Sequence, residues 1–191
     1  MAVAKAVADA IEEAIPLAEN MSMLDFGCGT GTLSVLLAGR VGHIHAMDTS
    51  DGMIAELKRK LAELPEMSSL IQPCLFKPPL TQALEGTWDV ICSSMVLHHI
   101  EDAVGTVRRL AGLLGPGGYL ALADLMPEDG SFHGAKAVPH NGFDPSVLAR
   151  AMREAGLDQT VWRKVTNFNK PAATGEMREY SIFLLTASRP G

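Results

Sequence analysis

The sequence predicts an α/β protein with a doubly wound, Rossmann-like sheet of seven strands and helices on both faces. Short apolar segments alternate with amphipathic helical segments along most of the chain, a pattern that indicates β-α-β units and a buried parallel sheet. The last two strand-like segments, residues 158–167 and 178–187, are joined by a linker too short for a helical crossover. We therefore expect five parallel strands followed by an antiparallel hairpin, in one domain spanning residues 1–191.

The elements follow in order from apolar spacing and from the residues that end each segment. The predicted parallel strands are residues 21–26, 42–47, 69–75, 88–92 and 118–124. The predicted helices are residues 3–15, 30–39, 51–63, 80–85, 101–114 and 144–155. Pro16, Gly39 and Pro65 end the first three helices, and "LLGPGGYL" predicts a turn before the fifth strand.

Composition excludes several classes of partner. The formal net charge is −6, and no Lys/Arg cluster is longer than residues 58–60, so nucleic acid is not expected as a partner. No apolar run is long enough to span a membrane. A small molecule is the expected partner. The sequence is compatible with a homodimer but does not determine the oligomeric state.

Cysteine usage indicates the compartment. The three cysteines, Cys28, Cys74 and Cys92, are odd in number and form no CxxC motif. The first residues show a helical rhythm with acidic side chains rather than the pattern of a signal peptide. These features favour a reducing cytoplasm over a disulfide scaffold.

The stretch "LDFGCGTGTLS", residues 24–34, places three glycines within five residues directly after the first predicted strand. Ligands of open α/β sheets bind beyond the carboxyl ends of the strands. A triphosphate loop requires a lysine in this motif, and none follows Gly31, which excludes that class of ligand. A dinucleotide loop requires a third glycine where this sequence has Thr32, so a dinucleotide fits poorly.

Two aspartates flank this glycine loop. Asp48 ends the second predicted strand, where a carboxylate can accept two hydrogen bonds from a ribose diol. That geometry is shared by dinucleotide and sulfonium-nucleoside sites. Asp25 lies immediately before the loop, where it would repel a diphosphate and attract a ligand that carries an ammonium and a sulfonium. The pair therefore favours a sulfonium nucleoside.

Four segments together resemble the class I S-adenosylmethionine-dependent methyltransferases, most closely the bacterial small-molecule branch. They are "LDFGCGTGTLS", "AMDTSDGMI", "WDVICSSMVLHHIED" and "LLGPGGYLALAD", in that order and spacing. The later segments "HNGFDPSVLARAMREAGL" and "EYSIFLLTAS" are also similar to that branch, so the resemblance covers about residues 18–188. It implies a seven-stranded sheet with a terminal antiparallel hairpin, and S-adenosylmethionine as the cofactor.

The resemblance also implies a set of cofactor-binding positions. In this sequence they are Asp25, Gly27, Gly29, Gly31, Asp48, Thr49, Met53, Ser93 and Ser94. The glycines would admit the methionyl part, with the first aspartate near its ammonium group and the second at the ribose. Thr49 and Met53 would flank the adenine, and the serines would line the path to the methyl group. The family commonly has an acidic residue after the third strand; this chain has none there, and we expect Leu75 or Phe76 to pack on the adenine instead.

Methyl transfer from a sulfonium is an in-line displacement, and a base is needed only when the acceptor must lose a proton. The candidate catalytic residues are His98, in "LHHIED" beyond the fourth strand, and His140, on the long loop after the fifth strand. Of the adjacent pair His98 and His99, we expect one to face the cleft and favour His98. Asp124, which ends the fifth strand, is expected to orient a group at the rim.

No metal site is predicted, because the alternating histidines His43 and His45 have no evident third ligand.

The leading functional hypothesis is S-adenosylmethionine-dependent methyl transfer to a small molecule. The alternatives are a nicotinamide-dependent oxidoreductase, suggested by the glycine loop and Asp48, and a cofactor-binding module without catalysis, suggested by the short segment before the glycine loop.

Overall fold

The computed structural model describes residues 2–77, 86–134, 136–172 and 175–191. The helices are α1 (Ala2–Ala14), α2 (Thr32–Leu37), α3 (Asp51–Ala62), α4 (Pro65–Ser68), α5 (Ala103–Gly112) and α6 (Pro145–Glu154). The strands are β1 (Ser22–Phe26), β2 (His43–Asp48), β3 (Ile71–Leu75), β4 (Trp88–Ser94), β5 (Leu114–Leu125), β6 (Asp158–Pro171) and β7 (Met177–Ser188). A 3₁₀ turn, Leu97–His99, follows β4. The helix predicted at residues 80–85 lies outside the described residues.

The strands form one sheet in the order β3-β2-β1-β4-β5-β7-β6. Strands β1 to β5 are mutually parallel, while β7 is antiparallel to both β5 and β6. The predicted fold class is confirmed. Strand order reverses between β1 and β4, and ligands of such sheets bind in the crevice that this reversal opens at the carboxyl ends.

Side chains alternate between the two faces of the sheet, and each face has its own apolar core. Met23 of β1 belongs to a core that it shares with α1, α2 and α3, whereas Leu24 belongs to a second core shared with α5 and α6. Both side chains are fully buried. A strand buried on both faces reads as a continuous apolar run, which is why these segments are recognisable in the sequence.

Three helices begin where the sequence supplies a capping side chain. Ser50 accepts a hydrogen bond from the Met53 amide at the start of α3. Asp102 and Asp144 cap α5 and α6 in the same way, and Pro145 occupies the first turn of α6. Such caps satisfy amides that the helix itself leaves free. The caps on α3 and α5 orient helices that start just beyond the crevice.

The turn predicted in "LLGPGGYL" lies inside β5 rather than before it, since residues 114–125 belong to one strand and Gly117 has φ +73°. The glycines instead make a register break opposite Trp88 and Val90. The Gly117 amide donates to the Arg189 carbonyl (3.1 Å), and the Arg189 amide donates to the Gly118 carbonyl (2.7 Å). Residues 115–118 therefore bulge out opposite a single residue of β4, and the residues after β7 supply hydrogen-bond partners for this bulge.

Pro65, predicted only to end a helix, also begins the short helix α4. The hairpin strands are slightly longer than predicted, since β6 continues to Pro171 and β7 starts at Met177. Within the described part of the chain, no helix combines the length and apolarity needed to cross a membrane.

Candidate active site

A cavity of about 720 Å³ opens at the carboxyl ends of β1, β2 and β4. It lies at the reversal of strand order, where the fold class predicts a ligand site. Its lining residues are Phe26, Gly27, Gly29, Asp48, Thr49, Ser50, Met53, Phe76, Met95, Val96, His99, Ile100 and Lys136. Five of the nine predicted cofactor residues are therefore on its wall: Gly27, Gly29, Asp48, Thr49 and Met53.

The glycine loop is fixed to the neighbouring strand through its backbone. The amides of Gly27 and Cys28 both donate to the Met47 carbonyl, at 2.8 and 2.9 Å. Gly27 has φ +75°, and a Cβ there would lie 2.4 Å from Val96 Cγ2. Both observations require glycine at this position. Burial raises the pKa of the Cys28 thiol far above its usual range, so this cysteine is a packing residue and not a nucleophile.

Asp48 connects the end of β2 to the glycine loop. Its Oδ2 accepts a hydrogen bond from the Gly29 amide (2.8 Å), and its Oδ1 accepts one from the Ser50 amide (2.8 Å). Each carboxylate oxygen has a second lone pair. The carboxylate is half-buried on the cavity wall, so it is held rigidly and can still accept hydrogen bonds from a ligand.

The wall beyond Asp48 is apolar. Phe76 lies at the end of β3, and its ring centroid is 5.9 Å from that of Phe26. Thr49 and Met53 complete this part of the cavity. Of the two residues expected to pack on an adenine, Phe76 lines the cavity, whereas Leu75 is 41% exposed and is outside its wall.

Asp25 lies beneath the glycine loop rather than on the cavity wall. Its side chain is buried on the α2 side of the sheet, and its Oδ2 accepts a hydrogen bond from Ser34 Oγ (2.5 Å). Burial raises the pKa of this carboxyl to about 6, although the Ser34 hydroxyl opposes the shift. At neutral pH Asp25 therefore contributes negative potential from below the loop.

This buried charge leads to a pH-dependent prediction. The folded state binds the Asp25 proton more tightly than the unfolded state, so the free energy of unfolding should fall as pH rises from about 4 to 6. Asp25→Asn removes this pH-dependent loss of stability, and the amide oxygen of the new side chain can still accept a hydrogen bond from the Ser34 hydroxyl. Part of the gain is offset because the amide N–H groups are buried, which leaves a net stabilisation on the order of 1 kcal/mol at pH 7.

Urea unfolding at pH 4.5 and pH 7 measures this difference between the variant and the unmodified chain. The exposed Asp9, paired with Lys5 on α1, supplies the control Asp9→Asn. A stability difference for Asp25→Asn that is the same at both pH values would contradict the buried-charge interpretation.

Three predicted cofactor residues are behind the wall as well. Gly31 packs towards α3, since a Cβ there would lie 2.4 Å from Leu57 Cδ1. Ser93 is buried, and its hydroxyl donates to the Phe26 carbonyl (2.9 Å). Ser94 is half-buried and is not among the lining residues. These residues shape the loop and the ends of the strands from behind.

The 3₁₀ turn after β4 places its two histidines in different environments. His98 is fully buried, and its Nδ1 is 2.6 Å from Oδ1 of the buried Asp124. The amides of Leu125 and His98 also donate to this carboxylate, at 2.7 and 3.4 Å. His99 is exposed and lines the cavity. One histidine of the pair faces the cleft, as expected, but it is His99 and not the favoured His98.

The loop after β5 brings a third histidine to this turn. The ring of His133 lies 5.0 Å from that of His98 and 4.9 Å from that of His99, measured between centroids. The protein partly desolvates both rings, which lowers the pKa of His99 and of His133. Their imidazoles are therefore uncharged near neutral pH.

His140 lies on the same loop but does not reach the cavity wall. Its Nε2 is 3.0 Å from the Ile100 carbonyl oxygen and 3.1 Å from that of Glu101. Because carbonyl oxygens only accept, Nε2 is the donor. The His140 side chain therefore connects the loop after β5, by a hydrogen bond, to the residues that follow the 3₁₀ turn.

Seven residues of the cavity wall have no predicted binding role: Phe26, Ser50, Met95, Val96, His99, Ile100 and Lys136. Met95 has φ +61°, which is rare for a side chain of this size and is typical of strained backbone at functional sites. Neither this conformation nor the reach of Lys136 has a local sequence signal. Of the apolar residues after β4, Met95 and Val96 line the cavity, whereas Leu97 is buried in the core.

A family model for a methyltransferase domain matches residues 2–161 of the chain. The chain belongs to this methyltransferase family. It is 30% identical over 155 residues to an uncharacterized methyltransferase of Schizosaccharomyces pombe, with 72% of this chain and 54% of that protein covered. It is 29% identical to the ubiquinone biosynthesis O-methyltransferase of Bordetella pertussis, with 80% and 68% covered.

The methyltransferase fold is equally clear from a solved structure. Phosphoethanolamine N-methyltransferase 2 of Haemonchus contortus, crystallised in complex with S-adenosyl-L-methionine, superposes with a TM-score of 0.72 at 15% identity, covering 96% of this chain and 52% of that one. This similarity concerns the fold alone. The chain spans 54 to 57% of the length of the first curated relatives that it matches.

Proposed function

We propose that the chain is a single methyltransferase domain that transfers the methyl group of S-adenosylmethionine to a small-molecule acceptor. The observation that carries the proposal is the glycine loop joined to Asp48 by a 2.8 Å hydrogen bond at the mouth of the cavity. A volume of about 720 Å³ is large enough for a nucleoside and a second small molecule. Family membership supports the same activity.

The cofactor would lie across the ends of β1 and β2. Asp48 would accept hydrogen bonds from the ribose hydroxyls, while Phe76 and Met53 would contact the two sides of the adenine. Gly27 and Gly29 line the cavity and have no side chain, so the methionyl part of the cofactor could approach their backbone closely. The Asp25 carboxylate is buried beneath the loop. It would attract the ammonium group of the cofactor through space rather than by direct contact.

The charges of the site argue against a nicotinamide dinucleotide. Asp48 suits the ribose of either ligand, but Asp25 lies beneath the glycine loop where a dinucleotide would carry its diphosphate. The negative charge of Asp25 opposes a diphosphate there, whereas it attracts a sulfonium and an ammonium. Thr32 at the start of α2 also replaces the glycine that dinucleotide sites use for close packing.

The acceptor would occupy the part of the cavity formed by Val96, His99, Ile100 and Lys136. In the reaction a bond forms between the acceptor atom and the methyl carbon while the carbon–sulfur bond breaks, leaving S-adenosylhomocysteine. Where the acceptor carries a proton, His99 is the imidazole on the wall that can contact it. The predicted catalytic residues His98 and His140 would act as positioning residues, since each is engaged by hydrogen bonds behind the wall.

Turnover is tested by incubating the protein with S-adenosylmethionine and separate sets of phenols, amines and thiols. We expect S-adenosylhomocysteine to accumulate with at least one set, together with an acceptor whose mass has increased by one CH₂. Phenols are the first choice, because a relative is named as an O-methyltransferase. Binding of the cofactor without turnover on any set would contradict the enzyme and favour a binding module.

We also propose a cellular compartment and an oligomeric state for the protein. Three free cysteines support a reducing compartment, for which the cytoplasm is our proposal. The negative net charge supports an acceptor other than nucleic acid. A homodimer is supported by β6, which exposes Val161 and Trp162 and is the outermost strand of the sheet formed by the described residues. Sedimentation velocity would test the homodimer.

A further inference from the structure

We propose that His98, His99 and His133 bind a divalent first-row transition-metal cation, of which Zn²⁺ is the representative, beside the cavity. This three-histidine cluster joins the 3₁₀ turn after β4 to the loop after β5. In the sequence only His43 and His45 have the spacing of paired ligands, because nothing in the spacing indicates that residues 98 and 133 meet.

The spacing of the cluster is close to that of a metal site. One ring nitrogen of each histidine lies within 4.8 Å of the other two. Three nitrogens bound at about 2.0–2.1 Å around a tetrahedral cation lie roughly 3.4 Å apart. Small rotations of the exposed His99 and half-buried His133 rings would bridge that difference, while His98 stays fixed.

Asp124 supplies what a metal-binding imidazole needs behind it. Histidine ligands usually donate their other ring N–H to a carboxylate, which orients the ring and raises its basicity. His98 Nδ1 is 2.6 Å from Asp124 Oδ1, and both side chains are fully buried. Nδ1 is thereby occupied, and Nε2 of His98 is the nitrogen left for a cation.

The third ligand is a polar atom that has no partner of its own. Nε2 of His133 is buried and makes no hydrogen bond to any of the described residues. Buried polar atoms nearly always have a hydrogen-bond partner, and a bound ion is one of the arrangements that satisfy an exception. A cation held jointly with His98 and His99 would satisfy this nitrogen.

The surrounding charges are mixed. The negative charges of Asp124 and Glu128 favour a cation at the cluster, whereas the positive charges of Lys136 and Lys170 oppose one. Lys170 is directed elsewhere, because its Nζ donates to the Phe132 carbonyl (2.7 Å) and lies over the Phe132 ring. Two carboxylates against two ammonium groups are compatible with a cation held chiefly by imidazole nitrogen.

The location gives the cation a function. Three protein ligands leave at least one coordination position open, as in catalytic rather than structural zinc sites. His99 is on the cavity wall, so an open position beside it can be reached by a ligand in the cavity. If the proposed methyl transfer holds, which this last step assumes, that ligand is an acceptor with an ionisable oxygen or nitrogen whose proton the cation makes easier to remove.

Cobalt titration tests the site without using methyl transfer. Tag-free protein, dialysed against a chelator, is titrated with Co²⁺ and followed by its visible d–d absorption. We expect saturable binding of one equivalent that is displaced by Zn²⁺. His133→Ala and His99→Ala should each weaken Co²⁺ binding at least tenfold. His43→Ala, which removes one ring of the stacked pair on β2, should leave it unchanged.

His133 and His99 are the informative positions, because a change at the fully buried His98 can disturb folding. Circular dichroism of each variant establishes that it is folded. The proposal is overturned if the unmodified chain shows no saturable binding, if His133→Ala binds as tightly, or if His43→Ala loses binding to the same extent. Methyl transfer assayed in parallel distinguishes the two proposals, since cobalt binding does not require S-adenosylmethionine.

Discussion

Asp124→Ala should reduce the free energy of unfolding by about 3–5 kcal/mol, because each buried donor left without its acceptor costs roughly 1–3 kcal/mol. Asp124 is fully buried and accepts hydrogen bonds from the His98 ring and from the amides of His98 and Leu125. Removing the carboxylate leaves all three donors without a partner in an apolar setting. Urea unfolding at pH 7 measures the loss.

Two further variants make this prediction specific to burial and charge. Asp9→Ala deletes an exposed carboxylate paired with Lys5 at the surface, and it should change stability by less than about 1 kcal/mol. Asp124→Asn keeps an acceptor oxygen for the ring and should cost less than Asp124→Ala. An Asp124→Ala protein as stable as Asp9→Ala would show that the pair with His98 contributes nothing to the fold.

Asp48→Ala should weaken binding of S-adenosylhomocysteine by about a hundredfold or more. Two hydrogen bonds from ribose hydroxyls to a carboxylate contribute roughly 1.5–3 kcal/mol each, and every 1.4 kcal/mol is about a factor of ten in affinity. The variant also loses the hydrogen bonds from the amides of Gly29 and Ser50, which hold the glycine loop in place. Isothermal titration calorimetry gives the dissociation constant directly.

Asp51→Ala is the matched control for this measurement. It removes the same charge three residues further along, from an exposed position that does not line the cavity. We expect its dissociation constant to stay within about threefold of the unmodified chain, because an exposed charge is largely screened by solvent and salt. Equal dissociation constants for Asp48→Ala and the unmodified chain would remove Asp48 from the site.

The fold and the position of the cavity are predictable from local signals. Continuous apolar strands, helix-ending prolines and capping residues are properties of short segments, and each such signal acts within a few residues. The glycine loop and Asp48 are found together for a related reason: β1 and β2 are neighbouring parallel strands, so their carboxyl ends meet at one edge.

Features that depend on partners distant in sequence cannot be predicted from these local signals. Residues 115–118 have the composition of a turn, yet they form a bulge within β5 whose backbone pairs with the distant Arg189. In the 3₁₀ turn Leu97–His99, consecutive side chains point in different directions, so whether His98 or His99 faces the cavity depends on where Asp124 lies. The approach of His133 to this turn depends on the conformation of a whole loop.

The central claim is that the cavity at the ends of β1, β2 and β4 binds a sulfonium nucleoside. Calorimetric titration of the unmodified chain with S-adenosylhomocysteine, and separately with NAD⁺, tests it most directly. We expect saturable one-to-one binding of S-adenosylhomocysteine and no measurable heat from NAD⁺ at the same concentrations. Tight binding of NAD⁺ with none of S-adenosylhomocysteine would contradict the claim.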